Sequence, residues 1–149
     1  MSAIVIFGGT GFIGTFFAKY LLDQGLTDKV YLFDQEPVSA KNSQFRKNLV
    51  AEDPRIVFVE DDVRKPIIWH PDEPISLIAN FAAVHREPGH EDFEYYETNL
   101  LGAENICAFA ERIGCDRMIF TSSISPYGPS EDEKDETSLP VPATAYGGS

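Results

Sequence analysis

Five short apolar runs alternate with longer amphipathic segments along the chain. Each run holds four to seven residues and is rich in β-branched or aromatic side chains, which is typical of strands buried on both faces. The first run is the clearest, because Ala3–Phe7 contains only apolar residues. The predicted strands cover residues 3–7, 29–34, 56–59, 75–81 and 117–122.

The first two amphipathic segments are predicted to be helices. In the first, apolar residues recur three and four positions apart, which places them on one helix face. The members of that face are Ile13, Phe16, Phe17, Tyr20 and Leu21, and Gly25 follows as the helix stop. The second helix is expected over residues 40–51, with an apolar edge at Phe45, Leu49 and Val50 and a stop at Pro54.

The second half of the chain contains one irregular segment and one long helix. Prolines at 66, 71 and 74 predict irregular structure over 65–74, packed down by Trp69. A helix is predicted over 93–113, ended by Gly114. Its apolar face is expected to hold Leu100, Ala103, Cys107 and Ala110.

The alternation of strand and helix predicts the fold class. It indicates an α/β protein with a Rossmann-type doubly wound parallel sheet, right-handed crossovers and helices on both faces. The expected strand order is 3-2-1-4-5. At 149 residues the chain has the size of one domain.

Composition and charge restrict the possible partners. The formal net charge of −12 argues against a nucleic-acid partner, because no basic patch could neutralise a phosphate backbone. No stretch approaches the roughly 18 apolar residues of a membrane span, and Met1 to Ala3 carry no charged leader, so we expect no membrane partner and a cytoplasmic location. Cys107 and Cys115 are about 12 Å apart at helical rise, too far for a disulfide.

The candidate chemistry begins at the loop between the first strand and the first helix. Gly8, Gly11 and Gly14 are spaced for a dinucleotide loop, in which glycines permit a tight turn, close approach to a pyrophosphate and close helix packing. The free N–H groups at the helix start, at Phe12 and Ile13, would face the anion. A plain structural turn is the alternative interpretation.

The end of the second strand supports a dinucleotide and favours NAD. Asp34 lies twenty residues after Gly14, where an acid is expected to accept hydrogen bonds from the adenosine ribose. Gln35 and Glu36 follow, with no adjacent arginine to hold a 2′-phosphate, so NAD is favoured over NADP. A solvated carboxylate at a strand end is the alternative. After the fourth strand, Ala82 and Ala83 leave room for a ligand.

These motifs, in this order, resemble the extended short-chain dehydrogenase/reductases. More narrowly, the chain is similar to the NAD-dependent nucleotide-sugar epimerase/dehydratase family from Ala3 to Ser149. The positions that carry the resemblance are the glycine loop, Asp34, Asp62 and Val63, Ala82 and Ala83, Asn99, the turn Thr121, Ser122 and Ser123, and Tyr146.

The resemblance implies roles around the cofactor. Asp62 and Val63 would border the adenine, and Ala82 and Ala83 would lie along the cofactor. Asn99 would steady the loop after the fourth strand. His85 stands where the epimerases of this family often carry a lysine near the nicotinamide ribose. Gln35, Thr121 and Ser122 complete the expected cofactor-binding set.

The resemblance also implies the catalytic pair. Ser123 corresponds to the catalytic serine or threonine, and Tyr146 to the tyrosine that begins a Tyr-x-x-x-Lys motif. The motif lysine would be residue 150, so residues 1–149 are expected to be an incomplete NAD-binding domain, inactive alone. It is expected to stop before the later strands and the sugar-binding domain, and to belong to a homodimer with a nucleotide-sugar substrate.

Several functions stay open at this point. The leading hypothesis is an epimerase that oxidises and re-reduces a sugar hydroxyl. A dehydratase is disfavoured, because Thr121 is followed by Ser122 and Ser123 rather than by an acidic pair. A nucleotide-sugar reductase or dehydrogenase, a non-catalytic dinucleotide-binding module and a sheet without a ligand are the alternatives. No metal is expected, since the spacing of His85, Glu87, His90 and Glu91 fits no usual ligand set and indicates a solvated loop.

Overall fold

A five-stranded parallel sheet forms the centre of the structure. The computed structural model describes residues 2–50 and 53–149. The strands are β1 (Ala3–Phe7), β2 (Val30–Asp34), β3 (Ile56–Glu60), β4 (Ile75–Asn80) and β5 (Met118–Phe120). Their order is β3-β2-β1-β4-β5, and every neighbouring pair is parallel. The predicted fold class and strand order are confirmed.

Both faces of the sheet are buried, as the apolar strands predict. Alternate residues of β1 point to opposite sides, so Val5 and Phe7 join one core and Ile4 and Ile6 the other. The first core is completed by side chains from the second half of the chain, including Phe109. Helices therefore cover both faces. Because β1 pairs with β2 and β4 in parallel, the carboxyl ends of these three strands lie at one edge of the sheet.

The first helix, α1 (Phe12–Asp23), buries only part of the predicted face, since Leu21 is buried and Phe17 packs against the core. Its buried residues are Gly14, Thr15, Ala18, Leu21 and Leu22. Of the predicted face, Ile13 is 54% exposed and Tyr20 is 56% exposed, with Phe16 also at the surface. The small residues face inward because Gly14 lies directly against the backbone of the glycine loop, where no side chain fits. The predicted helix stop is confirmed, since Gly25 has φ +64° after the last turn.

The second helix is shorter than predicted. A 3₁₀ turn covers Val38–Ala40, and α2 covers Gln44–Val50. The helix begins late because the Ser43 hydroxyl accepts from the Arg46 N–H, as a residue before a first turn does. Residue 51, at the end of the predicted helix, lies outside the described residues.

The long helix consists of three consecutive segments. These are α3 (Asp92–Tyr95), a π-helical segment (Tyr96–Leu101) and α4 (Gly102–Ile113). The predicted apolar face is wrong except for Ala110, because α4 buries Gly102, Ile106, Phe109 and Ala110. Gly102 sets this orientation, since a Cβ there would lie 3.0 Å from the Val63 side chain. Leu100 and Cys107 are consequently exposed.

The proline-containing segment packs as predicted. Residues 65–74 contain no helix or strand, and the Trp69 ring stacks on Phe109 with centroids 5.8 Å apart. Arg112 fastens the segment by donating to the Ile67 and Trp69 carbonyls at 2.8 and 2.9 Å. Glu73 accepts from both Lys29 and Tyr31, and its hydrogen bond raises the pKa of Lys29.

The last strand is shorter than the predicted span of 117–122. β5 pairs with β4 over three residues at the edge of the sheet, and its Met118, Ile119 and Phe120 side chains are exposed. Across residues 2–50 and 53–149, no helix is both long and apolar enough to span a bilayer.

Candidate functional site

A cleft of about 860 Å³ runs along the carboxyl ends of the strands. It brings together fourteen of the seventeen predicted site residues. These are Gly8, Gly11, Phe12, Ile13, Gly14, Asp34, Gln35, Val63, Ala82, Ala83, His85, Thr121, Ser122 and Tyr146. Asp62, Asn99 and Ser123 are not among the lining residues. A second cavity of about 180 Å³ adjoins the cleft and is lined by Asn99 and Ser123.

The glycine loop is held where any side chain would collide. Gly8 has φ +69°, and a Cβ there would lie 2.7 Å from the Ala82 backbone nitrogen. A Cβ at Gly14 would lie 2.6 Å from the Gly9 carbonyl oxygen. The glycines thus bring the end of β4, the loop and α1 into direct backbone contact.

The start of α1 presents unpaired donors to the cleft. The first N–H groups of a helix have no partner within it, and here they belong to Phe12, Ile13 and Gly14. Gly11, before the first turn, has no side chain to cap them, and the first turn contains no acidic residue. This helix end can therefore accept an anion.

Asp34 lies at the end of β2 with its carboxylate fixed by the glycine loop. One carboxylate oxygen accepts from the Thr10 hydroxyl at 2.8 Å and from the Thr10 N–H at 3.2 Å. The other oxygen accepts from the Gln35 N–H at 2.8 Å. A carboxylate offers about four acceptor sites, so capacity is left for a ligand hydroxyl.

Asp62 does not line the cleft as its expected role next to the adenine would require. Its carboxylate accepts instead from the Arg64 guanidinium, at 2.6 Å for the shortest contact. These hydrogen bonds lower the pKa of the Asp62 carboxyl and raise the pKa of Arg64. The neighbouring Asp61 and Val63 line the cleft.

Asn99 joins the loop after β4 to the last helix. Its side-chain oxygen accepts from the Val84 N–H at 2.8 Å, and its amide donates to the Val84 carbonyl at 2.9 Å. The same amide donates to the Ser149 hydroxyl at 2.9 Å, and that hydroxyl donates to the Tyr146 carbonyl. The π-helical segment carries Asn99, and such segments are frequent at functional sites.

Tyr146 lies where the two cavities meet. It belongs to α5 (Ala145–Gly148), whose first turn is capped by the Thr144 hydroxyl, which accepts from the Gly147 N–H. The Tyr146 ring is 6.2 Å from the ring of Tyr95, whose burial raises the pKa of its phenol. Ser123 reaches only the smaller cavity, where its hydroxyl donates to Ser125 at 3.2 Å.

Five further polar side chains that the sequence did not predict line the cleft. Besides Asp61, they are Lys41, Arg64, His90, Glu94 and Thr98. His90 was expected in a solvated loop, but its ring lies edge-on to Tyr95 and its Nδ1 is 3.5 Å from Glu94. The pKa of Glu94 is lowered mainly by the hydrogen bond that its carboxylate accepts from the Glu91 N–H, and to a smaller extent by the His90 side chain. Glu91 and Glu94 form a capping box at this helix start, but Glu91 is not one of the usual residues at that position, so the sequence carried no standard signal for it.

Almost the whole chain matches one family model. The NAD dependent epimerase/dehydratase family model matches residues 4–149. The chain belongs to this family. The predicted cofactor, NAD, is confirmed by the family to which the chain belongs.

Named relatives within the epimerase/dehydratase family carry out different reactions. The chain is 31% identical over 137 residues to UDP-glucuronic acid decarboxylase 1 of Arabidopsis thaliana, covering 90% of this chain and 29% of that protein. It is 27% identical over 139 residues to UDP-glucose 4-epimerase 3 of Oryza sativa subsp. japonica, covering 87% of this chain and 36% of that protein. The chain therefore spans well under half the length of these relatives.

Solved structures share the fold. A UDP-galactose 4-epimerase matches with a TM-score of 0.79 and 23% identity, over 98% of this chain and 47% of that one. A UDP-glucuronic acid 4-epimerase from Bacillus cereus in complex with NAD matches with a TM-score of 0.79 and 22% identity, over 98% and 48% of the chains.

The cleft has the shape and donors that a dinucleotide of this family needs. Its volume of about 860 Å³ lies within the roughly 300–1,000 Å³ range of small-molecule sites. The backbone cradle at Gly8 and Gly14 excludes side chains, and the end of α1 offers free N–H groups beside it. The carboxylate of Asp34 lines the same cleft.

Proposed function

We propose that residues 1–149 form the NAD-binding part of a nucleotide-sugar epimerase. One observation carries the proposal: a single cleft joins the glycine cradle, Asp34 and the phenol of Tyr146. A dinucleotide-binding end and a proton-transferring group therefore share one space. The epimerase names among its relatives support the substrate class.

The chain's own groups would hold the cofactor at three places. The N–H groups of Phe12, Ile13 and Gly14 would bind the pyrophosphate, because a helix start favours an anion. Asp34 would accept from the adenosine ribose hydroxyls. Ala82 and Ala83 would lie against the cofactor, since their small side chains leave the cleft open at the end of β4.

Tyr146 and Ser123 would carry the proton chemistry. When bound, NAD supplies the hydride acceptor. Tyr146 lines both the cleft and the smaller cavity, so its phenol would take the proton of a sugar hydroxyl placed between them. Ser123 borders the same cavity and would hydrogen-bond the sugar oxygen after its hydroxyl turns away from Ser125.

The test of this function separates binding from turnover. Calorimetric titration of the 149-residue chain should show saturable NAD binding. The parent protein should interconvert nucleotide-sugar epimers without net NADH, and a Tyr146→Phe variant should bind NAD normally but lose turnover by at least a hundredfold. Steady NADH accumulation would contradict the epimerase and favour a dehydrogenase.

A second candidate is a dinucleotide-binding module without turnover. It is favoured by the smaller cavity, since none of the described residues that line it is cationic. No lining side chain there could stabilise a Tyr146 phenolate by opposite charge. Tight NAD binding by the parent protein, with no turnover of any nucleotide sugar, would support this module.

We also propose that the parent protein is a homodimer. α3 and the π-helical segment that follows it expose Phe93, Tyr96, Leu100 and Leu101, apolar side chains that a second copy would cover. Sedimentation velocity should show one species of twice the monomer mass, and a monomer at micromolar concentration would contradict this assembly.

A further inference from the structure

Thr10, in the loop between Gly8 and Gly14, donates a side-chain hydrogen bond to Asp34 at the end of β2. It is fully buried and does not line the cleft, so it cannot touch a bound ligand directly. Its role must therefore act through the groups that it contacts.

Thr10 donates twice to a single oxygen of Asp34. The hydroxyl is 2.8 Å and the N–H 3.2 Å from that oxygen, and the Gln35 N–H occupies the other oxygen at 2.8 Å. Donors on both oxygens leave the carboxylate no free rotation about its bond to Cβ. The lone pairs left over have a fixed direction.

The Thr10 backbone is fixed from a second side. Its carbonyl accepts from the Arg46 guanidinium of α2 at 3.1 Å. The N–H groups of Gly8 and Gly9 both donate to the Phe33 carbonyl, one residue before Asp34, at 3.0 and 3.3 Å. Loop and strand end therefore move as one unit.

We propose that Thr10 is a positioning residue that aims the Asp34 carboxylate at the 2′-hydroxyl of the adenosine ribose and so sets the preference for NAD over NADP. The inference rests on the proposed NAD site. A carboxylate held in this direction accepts a hydrogen bond from a hydroxyl but repels the negative charge of a 2′-phosphate. Without the Thr10 hydroxyl, the Asp34 carboxylate can rotate towards solvent. This rotation weakens both the hydrogen bond from the 2′-hydroxyl and the repulsion of a 2′-phosphate.

The experiment compares ligands that differ only at the 2′ position. ADP and 2′-deoxy-ADP, and NAD and NADP, are titrated into the wild-type chain and into Thr10→Val and Thr10→Ser. Thr137→Val is the matched control, because Thr137 donates its hydroxyl and N–H to Asp135 in the same way, in an exposed loop away from the cleft.

The proposal predicts a change in discrimination rather than a uniform loss of affinity. A hydrogen bond to a charged group, at about 1.5–3 kcal/mol, corresponds to wild-type discrimination of roughly tenfold or more between ADP and 2′-deoxy-ADP. Thr10→Val should reduce this to about threefold or less and narrow the gap between NAD and NADP. Thr10→Ser and Thr137→Val should keep the wild-type ratios.

Two outcomes would overturn the proposal while the NAD site stands. One is unchanged discrimination in Thr10→Val, and the other is an equal loss of affinity for all four ligands, which indicates a purely structural role. If Thr10→Val does not fold, Thr10→Ala removes the same hydroxyl without adding a buried methyl group and is subject to the same criteria. Absence of NAD binding by the wild type would instead refute the proposed function itself.

Discussion

Replacement of Gly14 by alanine tests whether backbone contact with the glycine loop sets the position of α1. A Cβ at this position would lie 2.6 Å from the Gly9 carbonyl oxygen, and 2.7 Å from the Gly8 oxygen and the Gly9 Cα. All three atoms belong to the backbone, so none can move aside as the end of a flexible side chain would. We expect α1 to be displaced from the loop.

The magnitude follows from two opposing effects. Ordinary contact begins at 3.4 Å, so the helix must move by 3.4 − 2.6 = 0.8 Å. Overpacking of this kind costs about 1–3 kcal/mol, and the upper half of the range applies because the obstacles are backbone atoms. The higher helix propensity of alanine offsets about 1 kcal/mol of this cost. The net loss in the free energy of unfolding is therefore about 1–2 kcal/mol, or roughly 2–8 °C in Tm.

Urea unfolding followed by circular dichroism measures this loss, and NAD titration measures its effect on the cleft. Gly102→Ala is the matched control, since it also replaces a helical glycine but meets the Val63 side chain, at 3.0 Å. That methyl group can shift, so the helix-propensity gain should leave stability within about 0.5 kcal/mol of wild type.

The result that would refute the reasoning is specific. If Gly14→Ala unfolds at the same urea concentration as the wild type or higher, with unchanged NAD affinity, then backbone contact does not set the position of α1. A matching loss in Gly102→Ala would also refute it, because the atom that each Cβ meets would then make no difference.

Two further changes test the core and the ion pair between Asp62 and Arg64. Phe109→Ala should cost about 3–5 kcal/mol in urea unfolding, because this buried ring packs against Phe7 and Trp69, whereas a loss below 1 kcal/mol would contradict its central place in the core. Asp62→Asn should cost about 0.5–1 kcal/mol at pH 7, because Arg64 lowers the pKa of the folded-state carboxyl. That stability is present above the unfolded-state pKa of about 4 and is lost as pH falls through the lower folded-state value, so the difference between variant and wild type should shrink as the pH falls below about 4. A difference that stays constant would exclude the ion pair as its source.

The sequence located the strands and the cofactor motifs because their signals are local. A run such as Ala3–Phe7 is apolar throughout only when both faces of its strand are covered, and the alternation with helices then restricts the strand order. The glycine spacing and the acid that ends β2 are likewise patterns that can be recognised in a short stretch of chain. Most predicted site residues accordingly share one cleft.

The buried helix faces could not be predicted from periodicity alone. In α1 the large side chains of Phe16 and Tyr20 suggested the inner face, but Gly14 lies inside, because the backbone of the glycine loop comes within 2.7 Å of the position of a Cβ there. In α4 the predicted face omitted Ile106 and Phe109, which are the large side chains that the helix buries. Helical spacing records which residues share a face, whereas the choice of face depends on the closest contact with the rest of the fold.

The sequence by itself determined the sheet, the place of the glycine loop and the acid at the end of β2. Only the tertiary structure decided that Thr10 holds this acid, that Asp62 pairs with Arg64, and that Tyr146 lines both the cleft and the smaller cavity. Each of these contacts depends on the direction in which a side chain points and on the conformation of the loop that carries it. Both are set by the packing of the whole molecule, so no local pattern of residues encodes them.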